Sequence, residues 1–203
     1  NDTQLYMQLL GLSDPWTVDR VEMNVTAQAV SVFVTGVPGT QWHCPECGNE
    51  CRVYDLREER RWRHLDSCGF TTWLVARVPR VECKEHGVKT VKVPWAGPKS
   101  RFTLAFECFA ITLLQATKVQ DRTAQLLRLS PGQVHDIMAR AVDRGLSRRD
   151  HEEVIRHLSL DEKSFHSGQS YVTVLSDIPG RRVLDVTLDR THLSTVQLLD
   201  EAL

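Results

Sequence analysis

Two short thiol-bearing turns constrain this 203-residue chain more than any other feature. Cys44-Pro-Glu-Cys47 is followed at once by Gly48, and Cys83-Lys-Glu-His86, at the same internal spacing, by Gly87. Two tight turns that each offer two side chains complete a tetrahedron of soft and borderline donors around zinc with little strain. A glycine directly after each pair suits the sharp turn that aims both side chains inward. The chain has six cysteines. Short-spaced pairing in a chain of this size, with no secretory leader pattern at its start, favours metal over disulfides. Cys51 or Cys68 could replace His86 as the fourth ligand, and His43 and His64 lie nearby, but none of these belongs to a second knuckle. Cys51 and Cys68 are expected to be small buried thiols, and Cys108 to be core. No thioredoxin-like βαβ pattern surrounds Cys44 and Cys47, which argues against redox work.

Around these turns the hydrophobic period changes twice. A short helix is expected over NDTQLYMQLL, and alternation from Trp16 to Val37 (Val21, Met23, Val25, then Val30, Val32, Val34) marks strands. CRVYDL, TTWLVARV and VKTVKVPW continue as short β-like pieces up to the punctuating Pro94-Trp95-Ala96-Gly97-Pro98. Residues 102–117 then read as a well-buried helix, followed by shorter helices over about Asp121–Leu129 and Pro131–Leu146. VIRHLSLDEKSF, YVTVLSD and RRVLDVTLD return to strands, and His192–Leu203 closes as a helix. The net charge is −1, but basic residues outnumber acidic ones over 40–150 and the reverse holds over 151–203. That split is expected if the middle meets phosphates and the end holds metal ions. No apolar run approaches the roughly 20 residues that cross a bilayer, so the chain is expected to be soluble and cytoplasmic, with no membrane partner.

Residues 119–142, VQDRTAQLLRLSPGQVHDIMARAV, have the layout of a helix-turn-helix. Ala124 is small where two helices would meet, Leu126, Leu127 and Leu129 offer packing, and Ser130 with Pro131 can open the second helix. Val134, Ile137, Met138, Ala141 and Val142 form its apolar stripe, with Gln133, His135, Asp136 and Arg140 on the other side. Arg128 stands where such turns often carry glycine. Arg52, Arg57, Arg60, Arg61 and Arg63 cluster around Trp62, either as a phosphate clamp or as a solvated hairpin paired with Glu58, Glu59 and Asp66. The residues expected to meet DNA are Arg57, Arg60, Arg61, Arg63, Lys99, Arg101, Arg128, Gln133, His135 and Arg140. In His157-Leu-Ser-Leu-Asp161-Glu162 the strand period puts Leu158 and Leu160 on one face, Ser159 and Asp161 on the other. A meander of three strands, an acid midway along the first and then a helix is how a ribonuclease-H-like nuclease opens, its aspartate bridging two Mg²⁺ or Mn²⁺ ions.

In their order, LLGLSDPWTVDRVEM, WHCPECG, RRWRHLD, PRVECKEHGVKTVKVPWAG, SRFTLAFE, the helix-turn-helix and LSLDEKSFHSGQSYVTVLSD resemble the ISL-three group of insertion-sequence transposases. The resemblance runs from about residue 5 to the end. It implies an α+β multidomain chain. Residues 1–97 form a β-rich zinc-binding DNA-binding domain and 98–150 a helix-turn-helix domain, while 151–203 open a ribonuclease-H-like catalytic domain of the DDE class. Residues Cys44, Cys47 and Cys83 match zinc ligands, with His86 in place of the usual fourth cysteine, and Asp161 matches the first catalytic, Mg²⁺-binding carboxylate. The second Asp and the Glu fall beyond residue 203, so these residues are expected to be a truncated piece, inactive alone. Asp177, Asp185 and Asp189 are expected at turns or strand ends. The implied partners are double-stranded terminal inverted repeats and a second copy of the chain, the implied location the bacterial nucleoid. The alternatives are a truncated or domesticated DNA-binding regulator without catalysis, and a zinc site serving protein–protein contact.

Overall fold

The hairpin that opens the fold is written in its alternation. In the computed structural model, which describes residues 1–149, 153–166, 170–188 and 190–202, helix α1 (Asp2–Leu9) is capped by the Asn1 side chain. It leads into antiparallel β1 (Trp16–Asn24) and β2 (Ala29–Gly36). Val30, Val32 and Val34 all face inward and are buried, as the period of two requires. The next neighbour of β2 is not its sequence neighbour. Strand β3 (Trp42–His43), β4 (Glu50–Leu56) and β5 (Arg60–Ser67) intervene before β6 (Phe70–Ala76) lies parallel to β2, with β5 antiparallel on its far side. The sheet order is β1-β2-β6-β5. A second, antiparallel sheet, β3-β4-β7-β8, adds β7 (Pro79–Cys83) and β8 (Gly87–Thr90). The arginine-rich stretch therefore forms an edge strand of the first sheet.

Four tryptophans from four distant segments hold these pieces together. Trp16 of β1 meets Trp42 of β3 edge-on at 5.1 Å and Trp95 of the proline-rich segment at 4.9 Å, and Trp95 meets Trp62 of β5 at 5.6 Å. All four are at most 7% exposed. Edge-to-face rings add about 0.5–1.5 kcal/mol per pair beyond the burial itself.

Helices α2 (Leu104–Thr117), α3 (Gln120–Leu127) and α4 (Pro131–Leu146) pack around Phe102, Phe106, Ala110, Leu127 and Ile137. Thr103 caps α2, its hydroxyl accepting from the Phe106 N–H. Helix α2 is less buried than its composition suggests: Phe106, Glu107 and Ala110 point inward while Leu104 and Phe109 are exposed. Cys108, on the outer side, is exposed and not core. Cys68 is likewise exposed, at φ +50° in the β5–β6 turn, whereas Cys51 is half-buried. Leu126 and Val142, expected to pack, face solvent at 58% and 53%. The burden falls on Leu127 and Ile137 instead.

The chain divides into two compact units, Asn1–Arg144 and Gly145–Leu203. In the second, β9 (Leu158–His166), β10 (Ser170–Asp177) and β11 (Arg182–Leu188) form the expected antiparallel meander in the order β11-β10-β9. Helix α5 (His192–Ala202) places Leu198 against Leu175 and Leu184. Asp177 closes the β10–β11 turn, accepting from Gly180 N at 3.1 Å and Arg182 Nε at 3.1 Å, whereas Asp185, expected at a turn or strand end, stands in the middle of β11 opposite Leu175. The expected turn at 167–169 and Asp189 lie outside the described residues.

Gly36 shows how tightly the tryptophan cluster is fitted: a Cβ there would come 2.5 Å from the Trp42 ring. An indole wedged among other rings cannot retreat as a flexible chain end would. Gly36→Ala should therefore lower stability by about 1–3 kcal/mol, read as a reduced midpoint in urea or a lower Tm.

Candidate metal centre and nucleic-acid interface

The two knuckles converge. Cys44 and Cys47 flank the turn after β3, Cys83 ends β7, and His86 closes the turn into β8. Gly48 and Gly87 sit at φ +73° and +66° with open space around them, so their role is backbone conformation. Gly48 N donates to Cys44 O at 2.9 Å, locking the first turn. The Cys47–Cys83 sulfurs are 3.7 Å apart, and His86 Nδ1 lies 3.8 Å from Cys44 Sγ and 3.6 Å from Cys83 Sγ. Ligands at zinc–sulfur and zinc–nitrogen distances of about 2.3 and 2.0–2.1 Å, set at tetrahedral angles, would be separated by about 3.5–3.8 Å. These three separations match a tetrahedral site, and all four ligand atoms lie within 4.8 Å of one another, with Cys44 and Cys83 buried and His86 exposed. Backbone N–H groups of His86 and Glu85 hold the Cys83 thiol down to about 7. At Cys47 the Asn49 backbone also favours the thiolate, but burial and the neighbouring Cys83 and Cys44 sulfurs outweigh it and push the thiol up to about 11. A metal ion that bound here would have thiol protons to displace.

The helical pair has its own locks. Ser130 and Gln133 cap α4 reciprocally: Gln133 N donates to Ser130 Oγ at 3.3 Å and Ser130 N to Gln133 Oε1 at 2.9 Å. The Gln133 carbonyl oxygen is thereby engaged, and its amide N–H groups remain to donate. Ala124 is buried at 1%, as a close helix contact requires. Arg128 does adopt the left-handed conformation, φ +57°, that glycine would take freely. Its guanidinium donates to Asp66 Oδ2 at 2.9 Å, Gly69 O at 3.2 Å and Thr71 Oγ1 at 3.4 Å, contacts glycine could not make. The turn of the helical pair is thus fastened to the β5–β6 hairpin.

Comparison with known families coincides with these two constructions. A model of the zinc-finger of transposase IS204/IS1001/IS1096/IS1165 matches residues 40–86. A model of the helix-turn-helix domain of transposase family ISL3 matches residues 91–142. The chain is of the ISL3 transposase type. The transposase for insertion sequence element IS1557 of Mycobacterium tuberculosis is 32% identical over 142 residues, 70% of this chain and 32% of that protein. The transposase for insertion sequence element IS1001 of Bordetella parapertussis is 29% identical over 182 residues, 88% of this chain and 44% of that protein. This ISL3-type chain therefore spans about a third of the length of the first relative and under half of the second. No solved structure matches it.

Not every arginine expected to meet DNA is placed to do so in this ISL3-type chain. Arg63 is only 4% exposed. It ion-pairs with Asp66, and its guanidinium lies 5.1 Å from the centre of the Phe106 ring, so it belongs to the scaffold. Arg140 turns inward to Glu107, Nε to Oε1 at 2.9 Å, and Arg144 reaches the other oxygen at 2.8 Å. Glu107 is 1% exposed, and a buried carboxylate holds its charge only with such partners. Ser100 Oγ adds a hydrogen bond at 2.8 Å. The signal for this clamp was in the sequence: Glu107 is the one charged residue in LAFECFAITLLQAT. Arg60 stacks over Trp62 at 4.8 Å and donates to Ser100 O. Arg57, Arg61, Lys99, Arg101 and His135 are exposed. A cavity of about 290 Å³ is lined by Arg61, Arg101, Arg128, Gln133 and Trp73 among others, so β5, β6 and the start of α4 share one basic cleft. In the second unit Asp161 is exposed on β9, opposite Val174. Among the described residues the one group of three or more metal-ligating side chains is the Cys44–Cys47–Cys83–His86 set, and Asp161 is not in it. Among the described residues no helix is long and apolar enough to cross a membrane.

Metal analysis should find about one zinc per chain, and Cys83→Ser should reduce it well below that while exposing the β3–β8 layer to proteolysis. A second expectation concerns His64, whose Nδ1 lies 2.8 Å from the Thr103 hydroxyl that caps α2. Burial, reinforced by the charge of Arg63, lowers its pKa below the ordinary 6.5. The folded state then takes up its proton less readily than the unfolded chain. The contribution of His64 is complete above pH 6.5 and is lost as pH falls from there through the lower folded value. Tm measured from pH 8 to 5 should fall more steeply for the wild type than for His64→Asn.

Proposed function

We propose that this chain is the DNA-end-recognising front of an insertion-sequence transposase, joined to the opening strands of its catalytic domain. The observation that carries the reading is the shared basic cleft, in which the β5–β6 hairpin and the capped N-terminus of α4 present cations and an amide side by side. Cys44, Cys47, Cys83 and His86 act as ligands of a structural zinc that holds the β3–β8 layer in shape. Helix α4 enters the major groove, with the Gln133 amide and His135 at base edges. Arg57, Arg61, Lys99 and Arg101 contact phosphates, and Arg128 does so from its anchored position. The duplex is a terminal inverted repeat, and two copies of the protein, one on each end, form the working assembly in the bacterial cytoplasm, at the nucleoid.

The meander β9–β10–β11 followed by α5 is the order in which a ribonuclease-H-like fold begins, which supports a catalytic domain of the DDE class. There Asp161 would be one carboxylate of a Mg²⁺ or Mn²⁺ site, whose ions supply an activated attacking oxygen and a stabilised leaving oxygen for strand cleavage and transfer. An exposed Asp161 that joins no group of three or more metal-ligating side chains among the described residues has only part of that chemistry to offer. Residues 1–203 should leave DNA uncut in Mg²⁺.

The test is an anisotropy titration of the zinc-loaded chain against duplexes carrying the ends of the element that encodes it, beside scrambled duplexes. Preference for the ends is expected. Gln133→Ala should erode that preference, whereas Arg101→Ala should weaken both duplexes and flatten the log K against log salt slope by about 0.9. Equal affinity for ends and scrambled DNA would overturn the assignment.

A further inference from the structure

Of the five tryptophans, four are 1–7% exposed and lock the first unit together; Trp73 stands apart. It lies on β6, partly exposed, paired across the sheet with Arg63 on one side and Ser31 on the other. The Arg61 guanidinium lies over its ring at 5.1 Å. Trp73 and Arg61 together line two adjoining cavities, the basic cleft of about 290 Å³ and a second of about 690 Å³ toward the β1–β2 turn. Around the first, Arg63 and Arg128 share the single carboxylate of Asp66, which offsets one of their two charges. Arg61 and Arg101 have no ion-pair partner among the described residues, so the cleft keeps a net positive charge. The acid lining the second cavity, Glu22, is taken up by Arg20 at 2.8 Å.

A partly exposed indole beside uncompensated guanidinium groups suits one chemistry in particular. Bases stack on aromatic faces whatever their identity, and arginines hold the phosphates between them. Inside a duplex each base already has both π-faces covered by its neighbours, and only the outer face of an end pair lies open, so along the side of a duplex only a base outside the stack can use an indole. The Gln133 amide, at the rim of the same cleft, joins this seat to the helix proposed to read the duplex.

We propose that Trp73 and Arg61 form a seat for an unpaired nucleotide, so that this chain grips a DNA end carrying a displaced or single-stranded base in preference to a fully paired one. This rests on the DNA-end reading above and adds to it the form of DNA preferred. Free nucleotides arise at an element boundary when its two strands are cut at different positions, so the seat would favour DNA after a staggered cut.

The zinc-loaded chain is titrated against a blunt duplex bearing the element's end and against the same duplex with a few unpaired nucleotides on either strand. Tighter binding of a tailed duplex is expected, with quenching of tryptophan emission that disappears in Trp73→Phe. Trp73→Ala should weaken tailed DNA about ten- to a hundred-fold and leave blunt DNA within about two-fold. Trp73→Phe, which keeps a ring, should restore most of the affinity. Unaltered Tm and zinc content separate loss of the seat from loss of the fold. Equal binding of tailed and blunt DNA by the wild type, absence of quenching, or an equal loss on both DNAs in a folded Trp73→Ala variant would overturn the seat while leaving duplex recognition standing. Failure of the wild type to prefer the element's end in any form would overturn the DNA-end reading itself.

Discussion

The first unit rests on a mutual wedge of aromatic rings. Trp16, Trp42, Trp62 and Trp95 come from a hairpin strand, the strand before the first zinc knuckle, the arginine-rich strand and the segment before α2, respectively. Each sheet is short, and neither has enough apolar face to stand alone. The indoles supply the missing area. Replacing a buried ring of this size with alanine costs about 3–5 kcal/mol, a large share of what a domain has to spare. The metal centre and the helical pair both attach to this framework, so the geometry of either is inherited from the rings.

Charge is handled differently on the two sides of the framework. Toward the interior, Glu107 gathers Ser100, Arg140 and Arg144 and ties α2 to α4. Toward the hairpin, Asp66 gathers Arg63 and Arg128 and ties the helical turn to the sheet. Removing a partner of the buried Glu107 leaves a charge without compensation, which is more damaging than never having had the set. These two carboxylates hold Arg63, Arg128, Arg140 and Arg144 in place; of the arginines that line the cleft, Arg61 and Arg101 are tied to neither.

Much of this was legible in the sequence because it is local. The knuckle spacing of Cys44, Cys47, Cys83 and His86 pointed to one cluster, and their ligand atoms do lie within 4.8 Å of one another; the Ser130-Pro131 start of α4 was read from caps alone. The alternation of Val30, Val32 and Val34 gave a strand with the correct inward face. What escaped was non-local. Nothing in residues 29–76 announces that β6 lies parallel to β2, because the pairing depends on a crossover through the other sheet. Arg63 and Arg140 look like their exposed neighbours until the positions of Asp66 and Glu107 are known. Cys108, Leu126 and Val142 were apolar enough to be core, but the helices turned other residues inward. In the second unit the meander was legible from its turns, and Asp161 could be placed on a strand but not given companions.

The parallel pairing of β2 with β6 has a consequence for how such chains can change. The metal-bearing stretch begins after β2 and returns, through β5 and β6, to complete the very sheet that β1 and β2 start. It is threaded into its host, not hung from it. A recombination event that imported this stretch from a distant relative would have to match strand registry, an indole packing and an arginine–carboxylate latch at once. The hairpin and the knuckle stretch therefore answer to the same packing, and a change in one is felt by the other.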